Sequence, residues 1–490
     1  MESLERIREL EALSAPLDPD AETRREMTRK VTALAEEFLT PLGELPMYYP
    51  DNAEGGGISE SPVTEEGQAL DATLSLFKSQ VLEAGLNPAH PGHFGYIPGS
   101  GLYHAALGDF LAGVSNRYAG IYAASPGAVR MEQLLIKWLI EWVGFPDTAA
   151  GDLTSGGSIA NLSAIVAARD KAGLRARDYH RAVIYFTDHT HHCVEKAVRT
   201  AGMGECCMCR VPVDDHFRMN PNALAELIQS DRDQGRIPWL VTASAGTTDT
   251  GSVDPLEEIG GIARRENIWF HVDGAYGGAF VLCELGRKRL AGIGQADSLV
   301  VDPHKGLFLP FGTGVVLVRD GMDLHRSFQY QANYMQDQKT LARLDTLSPA
   351  ELSPELSRHW RGMRLWLPLK LAGVAPFRAA LEEKILLARY FHGEIQKVEG
   401  MEVGPFPDLS IVIFRHVPDH GNANDFNEKL VEKIMNHGRV FMSSTRIRGQ
   451  VMLRLAVLSF RTHLDTVEDA IGIIKEKIQE IKAETRDGAS

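Results

Sequence analysis

Short apolar runs alternate with longer amphipathic stretches from about Gly151 onward. The apolar runs read AVIYFT, WLVTASA, IWFHVDGA and SLVVD. The stretches between them include SIANLSAIVAARD, CVEKAVRTAG, NALAELIQS and PLEEIGGIARREN, in which apolar residues recur at helical spacing. Short apolar runs are typical of buried strands. Their alternation with helices predicts a mostly parallel sheet that is covered by helices on both faces.

The two ends of the chain have a different pattern. Near the N-terminus, Met27, Val31, Leu34 and Phe38 recur at the spacing of one helix face. After about Gly373, the strand-like runs SIVIFRH and VMLRLAV alternate with the helical stretches NDFNEKLVEKIMNHG and TVEDAIGIIKEKIQEIKAE. We therefore predict an N-terminal helical segment over residues 1–101, a large α/β domain over 102–373 and a small C-terminal α+β domain over 374–490.

The sequence DPLEE is typical of a helix start. Asp254 stands where an N-cap is expected, Pro255 falls in the first turn and Glu257 takes the capping-box position. We therefore expect the carboxylate of Asp254 to cap the helix that follows it.

Composition and charge exclude several classes of protein. The formal net charge of −14 argues against nucleic acid or an anionic membrane as the main partner. The charged N-terminus does not resemble a signal peptide, and no apolar run is long enough to suggest a membrane span. The chain has five cysteines, an odd number that does not suggest a disulfide framework, so we expect a cytoplasmic protein.

Three unusual polar groups fall near predicted strand ends. Gly157 and Ser158, in TSGGSIANL, open a helix whose N-terminus suits an anion, although a plain Gly/Ser turn has the same composition. Asp273 ends the run IWFHVD, where an N-cap or a structural ion pair is the alternative to a ligand contact. Lys305 follows SLVVDPH, where an exposed loop lysine is the alternative to an amine nucleophile.

The three groups together match the needs of one cofactor, pyridoxal phosphate. Its phosphate needs backbone donors at a helix N-terminus, its aldehyde needs an amine, and its pyridine nitrogen needs a carboxylate. The ligands of parallel sheets lie beyond the carboxyl ends of the strands, which is where these groups are predicted to meet.

The histidines of DHTHHCVEKA allow two interpretations. As zinc ligands, His189, His191 and His192 lack a convincing fourth partner, and the nearby ECCMCR favours a strand over a metal site. A histidine stacked on the cofactor ring is the better functional interpretation, with a buried structural histidine as the alternative. We predict no metal.

Several segments in order resemble the group II pyridoxal-phosphate-dependent decarboxylases, a family that includes aromatic-L-amino-acid, histidine and glutamate decarboxylases. They are TSGGSIANL, DHTHHCVEKA, AGTTDTGSVDPL, HVDGAYGG, ADSLVVDPHKG and SPELSRHWRGMRLWLPLKLAG. The resemblance covers most of the chain. It implies the α/β fold of type I pyridoxal-phosphate enzymes, with residues 102–373 as the cofactor-binding domain. It also implies a homodimer with active sites at the subunit interface.

The resemblance implies a role for each matching residue. Lys305 would carry the cofactor as a Schiff base, Asp273 would pair with the pyridine nitrogen and His191 would stack on the ring. The other implied contacts are Ala275 on the ring, Thr248 near the ring oxygen, and Gly157, Ser158 and His304 around the phosphate with Ser298 close by. Where the family has Asn-Pro-His-Lys this chain has Asp302, a difference from which we expect no change in the chemistry.

The reaction implied is α-decarboxylation of an L-amino acid to the amine and carbon dioxide. Tyr334, at the position of the family's loop tyrosine, would protonate Cα, although Tyr330 lies within a short register error. The alternatives are an aldehyde synthase, in which phenylalanine replaces that tyrosine, another carbon–carbon lyase, or a catalytically inactive dimeric binding protein.

The substrate pocket is the least specific part of the resemblance. Ser357 falls where histidine decarboxylases tend to have serine, but a helix-capping serine is an equally simple interpretation. Aromatic and apolar linings are common to many ligand sites, and they favour an aromatic or histidine-like substrate here. The other residues expected to line the pocket are Tyr96, Ile97, Pro98 and Tyr122.

Overall fold

The computed structural model describes residues 2–52, 55–329 and 347–487. The chain divides into two compact units, Met1–His90 with Asn436–Arg439 and Pro91–Met435 with Val440–Ser490. No helix in the described ranges is both long enough and apolar enough to cross a membrane. The domain boundaries expected after residues 101 and 373 stay a prediction.

The first unit is built mainly from helices. The carboxylate of Asp20 caps its longest helix by accepting a hydrogen bond of 2.8 Å from the backbone N–H of Thr23. Two short strands pair in antiparallel orientation. The elements are α1 (Glu2–Ser14), α2 (Ala21–Leu39), β1 (Tyr48–Tyr49), α3 (Leu70–Phe77) and β2 (Gly85–Leu86).

The second unit contains a seven-stranded sheet in the order β3-β9-β8-β7-β6-β4-β5. Strand β9 is antiparallel to both of its neighbours, and the other pairs are parallel. The predicted mostly parallel sheet is therefore confirmed. The strands are β3 (Ala150–Thr154), β4 (Ala182–Phe186), β5 (Cys207–Arg210), β6 (Ile237–Ser244), β7 (Trp269–Gly274), β8 (Ser298–Val301) and β9 (Gly314–Val318).

Helices cover both faces of this sheet. In β4, Val183 and Tyr185 pack into one core cluster while Ile184 and Phe186 pack into another, which is why this strand is apolar at every position. The helices are α4 (Tyr103–Ser115), α5 (Pro126–Val143), α6 (Gly157–Lys171), α7 (Cys193–Thr200), α8 (Pro221–Asp233), α9 (Leu256–Arg265), α10 (Glu284–Arg289), α11 (Pro303–Gly306), α12 (Gly321–Phe328), α13 (Gly362–Ala372) and α14 (Ala375–Ile395).

The C-terminal part of the second unit has its own antiparallel sheet, in the order β10-β11-β13-β12. Phe391, Phe414, Leu453 and Ile474 meet in a separate core cluster between this sheet and its helices. The elements are β10 (Met401–Val403), β11 (Ile411–His416), α15 (Ala423–Asn436), β12 (Ser443–Ile447), β13 (Gln450–Ala456) and α16 (Leu464–Asp487).

The prediction that Asp254 caps a helix is wrong. The N-cap of α9 is Pro255, and it makes no side-chain capping bond. The two carboxylate oxygens of Asp254 instead accept hydrogen bonds of 2.7 Å from the backbone N–H groups of Met219 and Ser244. Complete burial raises the pKa of Asp254 to about 6. The carboxylate of Asp254 therefore binds backbone N–H groups from distant segments, and it does not bind those at the start of α9.

Candidate active site

A cavity of about 310 Å³ lies at the carboxyl ends of β6, β7 and β8. Parallel strands bring residues that are distant in sequence to this edge of the sheet. The predicted site residues that line the cavity are Gly157, Ser158, His191, Thr248, Asp273, Ala275, His304 and Lys305.

Lys305 lies on the short helix α11, directly after β8. Its Nζ atom is 3.0 Å from Oδ2 of Asp302, and about a quarter of its side chain is exposed, at 23%. Burial lowers the pKa of Lys305, but the charges of Asp302 and Asp273 outweigh burial, so that the net shift of its pKa is upward. Lys305 is therefore an ammonium ion at neutral pH.

Asp273 is near the carboxyl end of β7 and is buried. One carboxylate oxygen accepts a 3.1 Å hydrogen bond from the backbone N–H of Ala275. The other oxygen lies 4.0 Å from the Sγ atom of Cys193. Burial and the charge of Asp273 raise the pKa of Cys193, so this thiol stays protonated at neutral pH and remains a hydrogen-bond donor.

The turn that enters α6, residues 155–158, forms another side of the cavity; we call it the anion turn. Gly156 has a φ of +154°, a conformation that side-chain-bearing residues rarely adopt. A Cβ on Gly157 would lie 2.9 Å from Oδ2 of Asp302 and 3.3 Å from Cβ of Ala275. Gly157 therefore has no room for a side chain, and the bare backbone at the N-terminus of α6 lies beside the carboxylate of Asp302 at the edge of the cavity.

The hydrogen bonds of two histidines define their tautomers. Nδ1 of His191 accepts a 3.3 Å hydrogen bond from the backbone N–H of Cys193, so Nε2 carries the hydrogen of the neutral ring. Nδ1 of His304 donates to the carbonyl of Thr313 at 2.6 Å, which leaves its Nε2 as an acceptor. Burial lowers the pKa of both histidines, so both rings are neutral at pH 7.

Ser298 lies behind the cavity wall, at the start of β8, where its side chain belongs to a buried network. The Trp269 indole N–H donates to Oγ of Ser298, and Ser298 donates to Nδ1 of His271, both at 2.8 Å. Nε2 of His271 donates to Oδ1 of Asn161 at 2.7 Å. The network ends where Nδ2 of Asn161 donates to the carbonyl of Gly157 at 2.8 Å.

Sequence reasoning missed Asn161 and Cys193, both of which line the cavity. Asn161 is one helical turn beyond Gly157, so this spacing on α6 was a usable signal. Asn161 also donates to Sγ of Cys193 at 3.4 Å, which links the anion turn to the neighbour of Asp273.

The predicted substrate residues lie outside the lining of this cavity. Tyr96 is 60% exposed, with its ring 5.5 Å from that of Phe441, whereas Ile97 and Pro98 are buried. The backbone N–H of Tyr122 donates to Oγ of Ser348 at 3.1 Å, and Ser357 is exposed. Their assignment to the pocket stays a prediction. Tyr334 and Tyr330 lie outside the described residues.

The residues around the cavity fit pyridoxal phosphate. Asp273 offers a buried carboxylate to the pyridine nitrogen, Lys305 offers an amine, and the anion turn offers the N-terminus of a helix to the phosphate.

Comparison with known proteins agrees with this fit. The pyridoxal-dependent decarboxylase conserved domain matches residues 63–417. The chain belongs to this family. An aromatic-L-amino-acid decarboxylase of Bacillus atrophaeus is 36% identical over 423 residues, which are 86% of this chain and 88% of that protein. A phenylacetaldehyde synthase of Arabidopsis thaliana is 27% identical over 423 residues, which are 84% of this chain and 86% of that protein.

A solved structure of Oryza sativa TDC with PLP and tryptamine has a TM-score of 0.88 and 26% identity to this decarboxylase. The match covers 95% of this chain and 99% of that one. The predicted fold type, the cofactor pyridoxal phosphate and the reaction class, decarboxylation of an amino acid by a carboxy-lyase, are confirmed.

Proposed function

We propose that the chain removes the α-carboxylate of an L-amino acid with an aromatic or histidine-like side chain, releasing the amine and carbon dioxide. The observation that carries the proposal is the convergence of Lys305, Asp273, His191 and the anion turn on one cavity. The aromatic amino acids named as substrates of the Bacillus relative and the aromatic amine tryptamine in the Oryza structure support the aromatic class. The serine at position 357 favours the histidine-like class.

The cofactor, when bound, supplies an electron-accepting ring. Lys305 would hold it covalently through Nζ, and Asp273 would accept a hydrogen bond from its pyridinium N–H. Because Asp273 is buried, its charge would act in a medium of low dielectric constant and keep that nitrogen protonated. His191 would cover one face of the ring and Ala275 would lie against the ring. Thr248 would lie near the ring oxygen, and Gly157, Ser158 and His304 would surround the phosphate, with Ser298 close by.

Proton delivery to Cα is the task of Tyr334, assisted by His191. The neutral His191 ring carries its hydrogen on Nε2, because Nδ1 is occupied by the N–H of Cys193. A neutral imidazole can donate a hydrogen bond from Nε2, but losing this hydrogen at pH 7 would leave an imidazolate, so His191 would assist by orienting the group that delivers the proton. Tyr96, Ile97, Pro98, Tyr122 and Ser357 complete the substrate pocket in this proposal.

A second candidate function is aldehyde synthesis on the same cofactor. The observation that favours it is the similarity to the Arabidopsis phenylacetaldehyde synthase. The tyrosine at position 334, where aldehyde synthases carry phenylalanine, favours the amine as the product.

We further propose that the enzyme acts as a homodimer with sites at the subunit interface. In the first unit, helix α1 exposes Leu4, Ile7, Leu10 and Leu13 at helical spacing. In the second unit, helix α4 exposes an apolar face of its own, formed by Leu107, Phe110, Leu111 and Val114. Exposed apolar faces of this kind are stabilised when another protein surface buries them, and a second copy of the chain would supply that surface.

A cytoplasmic location is part of the same proposal. All five cysteines are free thiols, and a reducing compartment keeps thiols in that state. The net charge of −14 also disfavours nucleic acid and anionic membranes as partners.

A product screen tests the proposed function. The purified protein with added pyridoxal phosphate is incubated with an equimolar pool of the standard amino acids, L-DOPA and 2,4-diaminobutyrate, and new products are identified by mass spectrometry. One amine, formed from an aromatic amino acid or from histidine, is the expected result. An aldehyde with ammonia would show that the chain is an aldehyde synthase, the second candidate. An amine formed from an acidic or aliphatic amino acid would overturn the proposed substrate class.

A further inference from the structure

Asp302 is a buried carboxylate that the proposed function above does not use. It is 2% exposed and lies between β8 and α11, where it forms the ion pair with Lys305. Its second oxygen, Oδ1, is buried and has no hydrogen-bond partner among the described residues. A buried acceptor without a partner is costly, so such a group calls for a functional explanation.

The carboxylate of Asp302 faces the anion turn. The space where a Cβ of Gly157 would lie is 2.9 Å from Oδ2 and 3.3 Å from Oδ1. Asp302 lines the cavity together with the anion turn itself. A phosphate seated at the N-terminus of α6 would therefore have a carboxylate beside it.

The other titratable groups that line this part of the cavity do not offset that negative charge. Nε2 of His304 is 3.8 Å from Oδ2 of Asp302, but burial lowers the pKa of this histidine and its ring is neutral at pH 7. His191 is neutral for the same reason, and Cys193 keeps its proton. Asp273 adds a second negative charge. Among the lining residues, Lys305 is thus the one cation facing two carboxylates.

We propose that Asp302 is a positioning residue that holds the amine of Lys305 and, by repelling the phosphate of the cofactor, weakens the hold of the enzyme on pyridoxal phosphate. This inference rests on the cofactor assignment in the proposed function. An ionised carboxylate can only accept hydrogen bonds, so it gives nothing to a phosphate oxygen. An asparagine of the same shape could donate one and carries no charge.

The test is the Asp302→Asn variant of the full-length chain, freed of cofactor. Equilibrium dialysis gives the dissociation constants of pyridoxal phosphate and of pyridoxal, which lacks the phosphate. Any effect that acts only through Lys305 or through general packing changes both constants together. The ratio of the pyridoxal constant to the pyridoxal phosphate constant therefore isolates the contact with the phosphate.

We expect Asp302→Asn to raise this ratio about tenfold, because it removes a like charge at close range in a buried site. The matched control is Asp320→Asn, which alters another N-cap aspartate, one that does not line the cavity, and leaves the ratio unchanged. If Asp302→Asn does not fold, as judged by circular dichroism, Asp302→Ser is used for the same measurement.

An unchanged ratio in a folded variant, while the wild type binds pyridoxal phosphate, overturns the role of Asp302 and leaves the proposed function intact. A lowered ratio also overturns it, since it would mean that the carboxylate favours the phosphate. A wild-type chain that binds no pyridoxal phosphate overturns both this inference and the proposed function.

Discussion

Nε2 of His271 donates a 2.7 Å hydrogen bond to Oδ1 of Asn161, which joins β7 to α6 behind the cavity. Both residues are fully buried. Through its Nδ2, Asn161 also holds the carbonyl of Gly157, so the position of the anion turn depends on a histidine that does not touch the cavity. The wall behind the site is thus a polar network in which each donor has an acceptor.

Removal of Asn161 should destabilise the protein. In Asn161→Ala, Nε2 of His271 keeps its hydrogen but loses its acceptor, and an unsatisfied buried polar group costs about 1–3 kcal/mol. We expect the free energy of unfolding, measured with urea, to fall by that amount. Asn222→Ala is the control, because Asn222 is exposed on α8. Equal stability of the two variants would show that the network does not contribute to stability.

His271 should also make stability depend on pH. Burial lowers its pKa to about 4 in the folded chain, below the ordinary histidine value of 6.5. Because the unfolded chain then binds more protons, this histidine costs stability as the pH falls below 6.5, and the cost stops growing near pH 4. Between pH 7.5 and pH 5 the loss from this one group is about 2 kcal/mol.

The measurement compares His271→Gln with the wild type. Urea unfolding at pH 7.5 and at pH 5 gives the loss for each protein, and the loss should be about 2 kcal/mol smaller in the variant. Histidines elsewhere in the chain contribute equally to both proteins and cancel in the difference. The same loss in both would contradict a neutral His271 in the folded chain.

The elements of the fold were predictable from local pattern because their apolar residues are contiguous or periodic. The runs AVIYFT and SLVVD became β4 and β8, since a strand buried on both faces is apolar at every position. The helix cap expected at Asp254 failed because its partners, Met219 and Ser244, belong to other segments. Capping rules consider only neighbouring residues, so they cannot predict that backbone N–H groups from distant segments will bind the same carboxylate.

The same limit applies to the site. Lys305 and Asp273 were predictable because a charged group at the end of an apolar run is unusual. Asn161 was missed although its spacing from Gly157 was a usable signal, whereas the role of Cys193 arises only when α7 lies close to Asp273 and Asn161 in the fold. The sequence also showed that Asp302 differs from the family motif, but its partnerless oxygen and its approach to Gly157 required coordinates.

Two substitutions of Lys305 should both abolish activity but should differ in their effect on stability. Lys305→Ala removes the amine and leaves Asp302 buried without a counter-ion, whereas Lys305→Arg keeps a positive charge beside Asp302. Both variants should lose carbon dioxide release from the identified substrate. We expect Lys305→Ala to lose about 2 kcal/mol more unfolding free energy than Lys305→Arg, since removing one partner of a buried pair leaves the other uncompensated.

Two measurements check this prediction, carbon dioxide release for activity and urea unfolding of the cofactor-free chains for stability. Retained decarboxylation in either variant would remove Lys305 from the mechanism. Equal unfolding free energies would mean that the ion pair with Asp302 adds no stability.

Tyr334 should decide which product leaves the enzyme. In Tyr334→Phe the hydroxyl that we propose as the proton donor to Cα is absent, so protonation should slow and Cα should be left open to two-electron oxidation by dioxygen, which would be reduced to hydrogen peroxide. We expect the amine yield to fall at least about tenfold and aldehyde with ammonia to appear, as measured by mass spectrometry of the products. Tyr330→Phe is the matched control, because it removes a hydroxyl four positions away in the same segment. A shift to aldehyde in Tyr330→Phe alone would assign the proton donor to Tyr330, and an unchanged amine yield in both variants would remove both tyrosines from proton delivery.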